Sequence, residues 1–325
     1  VSTNSRTPIP VGIIGTGRHG SRYAEHIRRD VEGLSLAAIC RRSEAGLEQA
    51  RQWGCRYHDD WRELVDDPAV AAVIAVTTPN LNLAIAQRCA AAGKPLLVEK
   101  PLALDVAGGR AILDACRSIP LTVGHTLRFN PVIVALRCEL AQIGRLHLVT
   151  ASQRMEETQH AWLDDPLLAG GGVILHTAVH MFDTLFFVTG RRIVRVRASR
   201  ACRHTRRLED LFVATIELEG GVLGTIDAAK VGGGRCGRYE FVGEQAQLHA
   251  DQVHHRLEVI DDRGVTPLDC GPPVFAIVPL LTAWVEFLAG RGDNPVPGED
   301  GLRAVAVAEA CRRSADVDQW VDVTL

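Results

Sequence analysis

The chain has 325 residues, a length that predicts two domains, each large enough to bury a core of its own. Hydrophobic residues make up 46% and charged residues 23%, which excludes a disordered, fibrous or low-complexity chain. Lys plus Arg number 36 against 39 for Asp plus Glu, a net charge of −3, so no global basic field draws nucleic acid or anionic lipid, and no local motif replaces it.

Over the first 125 residues, short apolar runs alternate with longer amphipathic stretches, the signature of strands joined by crossover helices in a parallel sheet. Strands are predicted at residues 9–14, 34–40, 70–76, 96–98 and 121–124, with helices at 18–29, 44–52, 81–92 and 105–117. Residues 69–76 include no polar side chain, as expected of a central strand covered on both faces. After about residue 145, β-branched runs closed by Gly-containing turns take over, at 146–153, 193–199, 211–218, 222–228 and 239–242. Helices are predicted near 173–188 and 300–313. The reading is α/β: a doubly wound parallel sheet in residues 1–125, then an α+β domain with a large, mostly antiparallel open sheet in residues 126–325.

The nine cysteines are odd in number, widely spaced and without a C-x-x-C pair, which predicts reduced thiols in a cytoplasmic protein rather than a disulfide framework or a zinc site. The polar start, VSTNSRTPIP, has no apolar signal core. The uncharged stretch 270–285, broken by Pro272, Pro273 and Pro279, is too short to span a membrane. Neither a membrane nor a nucleic-acid partner is expected.

The segment VGIIGTGRHGSRY sets Gly15, Gly17 and Gly20 directly after a strand and at the mouth of a helix, with Thr16, Arg18 and His19 between them. In that context the first glycine makes the tight turn, the second lets a pyrophosphate approach the backbone, and the third allows close helix packing. A dinucleotide site of the Rossmann kind is predicted. NAD-preferring sites carry an acidic residue at the end of the second strand, whereas this chain has Arg41, Arg42 and Ser43 after Cys40. Guanidiniums suit a 2′-phosphate, so NADP(H) is expected over NAD(H).

These segments, together with TTPN at 77–80, AGKPLLVEKPLA at 92–103, RFNP at 128–131 and WLDDPLLAGGGVILHTAVHMFD at 162–183, resemble in order and spacing the glucose-fructose oxidoreductase, inositol dehydrogenase and rhizopine-catabolism (Gfo/Idh/MocA) oxidoreductases. The resemblance implies that Thr78, Pro79, Asn80 and Glu99 lie on the cofactor side. It also implies that Lys100 sits between nicotinamide and substrate with a cis bond to Pro101. Physically, a lysine at a sheet edge can stabilise a developing alkoxide, and Lys100 is one of only three lysines, with Lys94 and Lys230.

The family's second motif matches Gly170, Gly171, Gly172, His176, His180 and Asp183. Helical spacing of i, i+4 and i+7 predicts one shared face. By resemblance His180 is the acid/base residue, and His176 stands where most catalysing members have Asp. Three readings of His176 stay open: a proton relay or hydrogen-bonding partner, a metal ligand with His180 and Asp183, or a satisfied structural histidine. The metal reading lacks the Glu of a zinc-protease helix, and no metal is expected. Replacement of His176 by Asp is expected to be tolerated.

Leu83 and Leu163 also depart from the family, which has His and Arg there. Candidate substrate residues are His125, Arg128, Asn130, Arg154, His160 and Trp162, with His176 and His180. Against these stand plain structural roles: Arg128 and Asn130 fixing the loop at Pro131, and Trp162 packing in a core. Arg203 to Arg207, RHTRR, reads as a solvated turn. The expected function is NAD(P)-dependent hydride transfer to or from a secondary alcohol or ketone of a sugar, polyol, inositol or sugar derivative. His180 would be the base, Lys100 would stabilise the oxygen and His176 would assist. The competing readings are a non-catalytic NAD(P)- and sugar-binding sensor, and an α/β protein acting only through its sheet. A homodimer or homotetramer formed through the C-terminal sheet is expected, as in the family.

Overall fold

The computed structural model describes residues 7–157 and 160–325; the first six residues of the N-terminal segment lie outside these. The chain forms two compact units.

The first unit holds the chain up to Ala103, Ala107–Gly124 and Phe275–Asp300. Its sheet has six parallel strands, β1 (Ile9–Ile14), β2 (Leu34–Cys40), β3 (Arg56–His58), β4 (Ala72–Ala75), β5 (Leu96–Val98) and β6 (Leu121–Val123). Their order is β3-β2-β1-β4-β5-β6. Every residue of β4 is buried, as its unbroken apolar run predicts. The helices are α1 (Arg18–Arg29), α2 (Glu44–Trp53), α3 (Trp61–Asp66), α4 (Asn82–Ala91) and α5 (Val106–Ala115). Strand order reverses between β1 and β4, so the loops leaving these two strands, Gly15 to Gly20 and Thr77 to Asn80, flank the switch point where doubly wound sheets bind ligands.

Segment 275–300 clusters with this unit, although the expected boundary assigned it to 126–325. The physical reason is local bonding. Asn294 donates its side-chain amide to the Leu121 carbonyl at 2.7 Å and accepts from the Thr122 hydroxyl at 2.9 Å. Residues 104–106, expected in the first domain, cluster with the second unit.

The second unit holds Leu104–Val106, His125–Val274 and Gly301–Leu325. Helices α6 (Pro131–Glu139), α7 (Pro166–Ala169) and α8 (Val179–Thr189) accompany nine strands, β7 (Leu146–Glu156), β8 (Ile193–Ala201), β9 (Leu211–Leu218), β10 (Val222–Gly232), β11 (Cys236–Gly243), β12 (Gln247–Asp251), β13 (Arg256–Asp261), β14 (Gly264–Pro267) and β15 (Val321–Asp322). Their order is β14-β13-β12-β11-β7-β10-β9-β8-β15. All neighbours are antiparallel except β7 and β10, so the sheet is mostly antiparallel and open. Along β9, Phe212, Ala214, Ile216 and Leu218 are buried while Val213 and Thr215 are exposed, the period-2 alternation of a one-sided sheet.

The helical stretch Pro166–Thr189 is long and apolar enough to cross a membrane, a feature absent from the sequence reading, but 83% of its apolar window is buried inside the protein. It is a core helix. All nine cysteines are free.

Candidate active site

In the glycine loop of the first unit the three glycines differ in what surrounds them. Gly15 has φ +90°, and a Cβ there would lie 2.2 Å from the Val76 carbonyl oxygen. At Gly20 a Cβ would lie 1.9 Å from the Gly15 oxygen, whereas at Gly17 nothing stands within 4 Å. The first and third glycines are therefore fixed by backbone approach and the second faces open space, the arrangement that admits a pyrophosphate. Gly17 also precedes the first turn of α1, which has neither a side-chain cap nor an acidic residue. Its N–H groups suit an anion. These residues fit a dinucleotide.

Arg41, Arg42 and Ser43 part company. Arg41 Nη1 donates to the Thr16 carbonyl at 3.0 Å and to Gln49 Oε1 at 3.1 Å, and Gln49 Oε1 also accepts from the buried Thr16 hydroxyl at 2.9 Å. Arg41 thus braces the glycine loop. Arg42 and Ser43 are exposed, and the Ser43 hydroxyl does not cap the helix it precedes. Of the three residues that follow β2, these two are open to solvent. Arg18 and His19 are exposed on the glycine loop, and Thr78, Pro79 and Asn80 open a short helical turn with Pro79 buried.

Glu99 is buried and anchored twice from one face of α1: Tyr23 Oη donates to Oε1 at 2.6 Å, and His19 Nε2 lies 2.9 Å from the same oxygen. The Lys100 backbone N–H donates to Oε2 at 3.1 Å. Burial alone would raise the Glu99 pKa, but His19, Lys100 and Tyr23 together hold it below the ordinary value. Burial lowers the Lys100 pKa, with Glu99 pulling the other way. The Lys100–Pro101 bond is cis. Asn82, which the sequence reading overlooked, donates its amide to the Pro101 and Leu102 carbonyls at 3.2 and 3.0 Å. It clamps the turn that carries Lys100.

In the second unit His176 and His180 have different ring neighbours. The helix widens into a π-type turn at Ile174–Ala178, which breaks the regular i, i+4 phasing. His176, buried, directs Nε2 back to the Ala169 carbonyl at 2.9 Å, and its ring meets Trp162 edge-on at 5.4 Å. His180 is half-buried and stands edge-on to His125, ring centroids 6.3 Å apart. Asp183 is gripped at both oxygens by Arg128, with His125 Nδ1 3.9 Å away. His125, Arg128, His180 and Asp183 therefore form one cluster, and His176 with Trp162 another.

Two expected substrate residues have local partners instead. Asn130 Oδ1 accepts from Val132 N at 2.9 Å and caps α6, with Pro131 at the first helical position. Arg154 forms an ion pair with Asp227 on the adjoining strand β10. His160 is exposed.

Glu209, also absent from the sequence reading, fixes the glycine run. Its Oε1 accepts from Gly172 N at 2.9 Å and Ile174 N at 3.2 Å, and its backbone oxygen accepts from Val173 N at 2.7 Å. A Cβ at Gly172 would lie 1.9 Å from that backbone oxygen, so only glycine fits. The RHTRR stretch is a solvated turn, with Arg203, His204, Arg206 and Arg207 exposed, and its backbone is fixed by two carboxylates. Asp210 collects the N–H groups of Arg203, His204 and Thr205, and Asp164 those of Arg206, Arg207 and Leu208, at 2.7–3.0 Å. Two carboxylates thus satisfy six consecutive backbone donors.

Comparison with known proteins gives consistent matches. Residues 9–125 match the description "Oxidoreductase family, NAD-binding Rossmann fold", and residues 138–249 match "GFO/IDH/MocA C-terminal domain". An inositol 2-dehydrogenase of Saccharopolyspora erythraea is 30% identical, covering 98% of this chain and 97% of its own. A myo-inositol 2-dehydrogenase of Thermotoga maritima is 25% identical, covering 94% and 96%. Among solved structures, an oxidoreductase domain protein from Kribbella flavida superposes with a TM-score of 0.90 at 25% identity, covering 98% and 100%.

Proposed function

Because the chain belongs to the Gfo/Idh/MocA family of NAD-binding oxidoreductases, we propose that it is a dehydrogenase or reductase acting on a secondary alcohol or ketone of a sugar, polyol or inositol, with NADP(H) preferred. The observation that carries this reading is the setting of Lys100. Its proton is loosened by burial, its backbone is pinned through Glu99, and it follows a sheet strand in a unit whose glycine loop fits a dinucleotide.

A nicotinamide dinucleotide held by Gly15 to Gly20, with Arg42 and Ser43 at its ribose, supplies the hydride donor or acceptor. Lys100 stabilises the negative charge that develops on the reacting oxygen. His180 takes the hydroxyl proton on oxidation and returns it on reduction. Arg128 holds Asp183, and His125 stands against His180, so the imidazole has a fixed surrounding. His176 is a positioning residue that anchors the turn before His180 through Ala169. The relatives named above, two inositol dehydrogenases, support a ring polyol or sugar as substrate.

Assembly through the second unit's sheet is part of the same proposal. Leu148, Val213 and Leu223 are 39%, 49% and 51% exposed on β7, β9 and β10, and Leu148 lies beside Leu223 in the parallel pairing. This exposed face, on which the three apolar residues are set among Thr215, Glu217, Thr225 and Asp227, suits a second copy of the chain, and sedimentation of a monomer at micromolar concentration would count against it.

The test of the chemistry is hydride transfer by the NADPH- or NADP-loaded protein across a panel of sugars, polyols, inositols and their keto forms. Lys100→Ala and His180→Ala are each expected to lower turnover at least about a hundredfold with NADPH affinity nearly unchanged. Binding of a panel member without any turnover would favour the non-catalytic sensor. Full turnover by His180→Ala would remove the base assignment.

A further inference from the structure

His19 stands between Gly17 and Gly20 in the glycine loop of the first unit, on the first turn of α1. That turn has neither a side-chain cap nor an acidic residue, so the His19 backbone N–H is among the donors that suit a pyrophosphate. Its side chain takes a different partner. Nε2 lies 2.9 Å from Oε1 of Glu99, and the imidazole is 45% exposed whereas the carboxylate is 7% exposed. The ring is also edge-on to Tyr23, centroids 5.5 Å apart.

The bonding at Glu99 decides which ring nitrogen carries hydrogen. Oε1 already accepts from Tyr23 Oη at 2.6 Å, and Oε2 accepts from the Lys100 N–H at 3.1 Å. His19, Lys100 and Tyr23 together keep the carboxyl ionised at neutral pH, and an ionised carboxylate only accepts. Nε2 of His19 is therefore the donor in the neutral ring as in the charged one. The proton that an imidazole gains or loses near neutrality falls to Nδ1, which has no hydrogen bond among the described residues.

Few titratable groups face this ring. Glu99, with Lys100 next to it, comes from the turn after β5, and Tyr23 from α1 itself; Arg18, the preceding residue, is exposed. Burial and the neighbouring carboxylate push the Tyr23 phenol well above its ordinary range, so it stays neutral where His19 titrates. Glu99 is thus the anion that bears on the imidazole, and a pyrophosphate bound at the first turn of α1 brings a second. Added negative charge favours the protonated ring. The imidazolium then gives Glu99 a charge-assisted hydrogen bond, stronger than that of the neutral ring.

We propose that His19 takes up a proton from solvent when a dinucleotide binds, so that occupancy of the glycine loop is passed through His19 and Glu99 to the turn that carries Lys100. The proposal rests on the oxidoreductase reading above and deepens it. His19 is a positioning residue, and because binding consumes a proton, cofactor affinity rises as pH falls.

The test is titration calorimetry of the full chain at pH 7 with NADH and, in parallel, NADPH, in PIPES, MOPS and imidazole buffers, whose ionisation enthalpies differ. The slope of binding enthalpy against buffer ionisation enthalpy counts the protons taken up. About half a proton per NADH is expected, the response of one imidazole to one new neighbouring anion, with NADH affinity rising about twofold from pH 8 to pH 7. His19→Gln keeps an N–H for Glu99 but cannot titrate, so it should bring the uptake close to zero. His19→Ala, a truncation at an exposed position, should do the same. For NADPH, whose own 2′-phosphate titrates, the difference between the unmodified protein and His19→Gln gives the same half proton. A purely structural histidine would leave the proton count of the Gln variant unchanged. No uptake of NADH-linked protons by the unmodified protein, or uptake of either cofactor's proton that survives both substitutions, overturns the proposal and leaves the oxidoreductase reading intact. Failure of both NADH and NADPH to bind overturns the two together.

Discussion

Arg128 clasps Asp183 at two points: Nε reaches Oδ2 at 2.8 Å and Nη2 reaches Oδ1 at 2.5 Å, with both side chains buried. The guanidinium also stacks over Phe187, 5.4 Å from the ring centroid. A fork of this kind leaves Asp183 committed to Arg128, so it orders the ground on which His180 and His125 stand. Removing one partner leaves the other charge buried, which costs about 3–5 kcal/mol in comparable pairs. Asp183→Asn is therefore expected to lower unfolding free energy by about 3 kcal/mol in urea titration. An unchanged midpoint would contradict the clasp.

If NADP(H) is preferred as proposed, the choice is expected to turn on Arg42 more than on Arg41. Arg41 is engaged with Thr16 and Gln49, whereas Arg42 is exposed beside Ser43. NADPH should bind at least several-fold more tightly than NADH by titration calorimetry. Arg42→Asp should narrow or reverse that preference, by about tenfold in NADPH affinity, the scale of one charge-assisted contact. Arg41→Asp should weaken both cofactors by loosening the glycine loop. Equal or tighter NADH binding by the unmodified protein would refute the preference.

His176 donates through Nε2 to the Ala169 carbonyl, a role that a carboxylate cannot fill. The geometry therefore reverses the expectation that Asp is tolerated there. His176→Asp places an acceptor against an acceptor and should cost about 1–3 kcal/mol. His176→Gln keeps an N–H donor at similar reach and should stay within about 1 kcal/mol of the unmodified protein. Thermal denaturation of the two variants decides it, and an Asp variant as stable as the Gln variant would remove the structural role.

Acid sensitivity should centre on Asp67. Burial alone would raise its pKa, but the Ala69 N–H, Arg56 and His58 outweigh burial and hold it at about 2. Because the folded value lies below the unfolded one, the stabilisation is fully present above about pH 4 and is lost as pH falls through about 2. Asp67→Asn should remove about 2 kcal/mol at neutral pH and flatten the stability profile between those limits. A variant that keeps the unmodified slope there would exclude Asp67 as the source.

The glycine loop and the parallel strands were legible because each is a local pattern: a periodic apolar run or a fixed spacing of small residues. Helix α9 (Ile277–Leu288) escaped that reading because Pro279 falls in its first turn. Proline is tolerated at that point because the early N–H groups have no intrahelical partner, yet in a sequence it reads as a break. Strands β12 to β14 give a weak signal because polar and charged residues such as His249, Asp251, Glu258 and Asp261 interrupt their apolar runs. The candidate site was legible only where one motif held the whole unit, as at Glu99 and Lys100. Glu209 bonds a backbone 37 residues away, and Asp164 holds a loop more than 40 residues downstream. No spacing within a motif announces such pairs. The i, i+4 spacing of His176 and His180 assumes a regular helix, and the π-type turn that carries His176 is visible only in the backbone.

That turn makes chain length, rather than side-chain identity, the setting for the helix that carries His180. Each residue of a regular helix advances the side-chain direction by roughly 100°, and Ile174–Ala178 accommodates one residue more than a regular turn. Removing a single residue there would leave every motif letter downstream intact while swinging His180 away from His125 and Asp183 away from Arg128. The two halves of the helix thus behave like a vernier, and variation in this family member can be silent in composition yet decisive in phase.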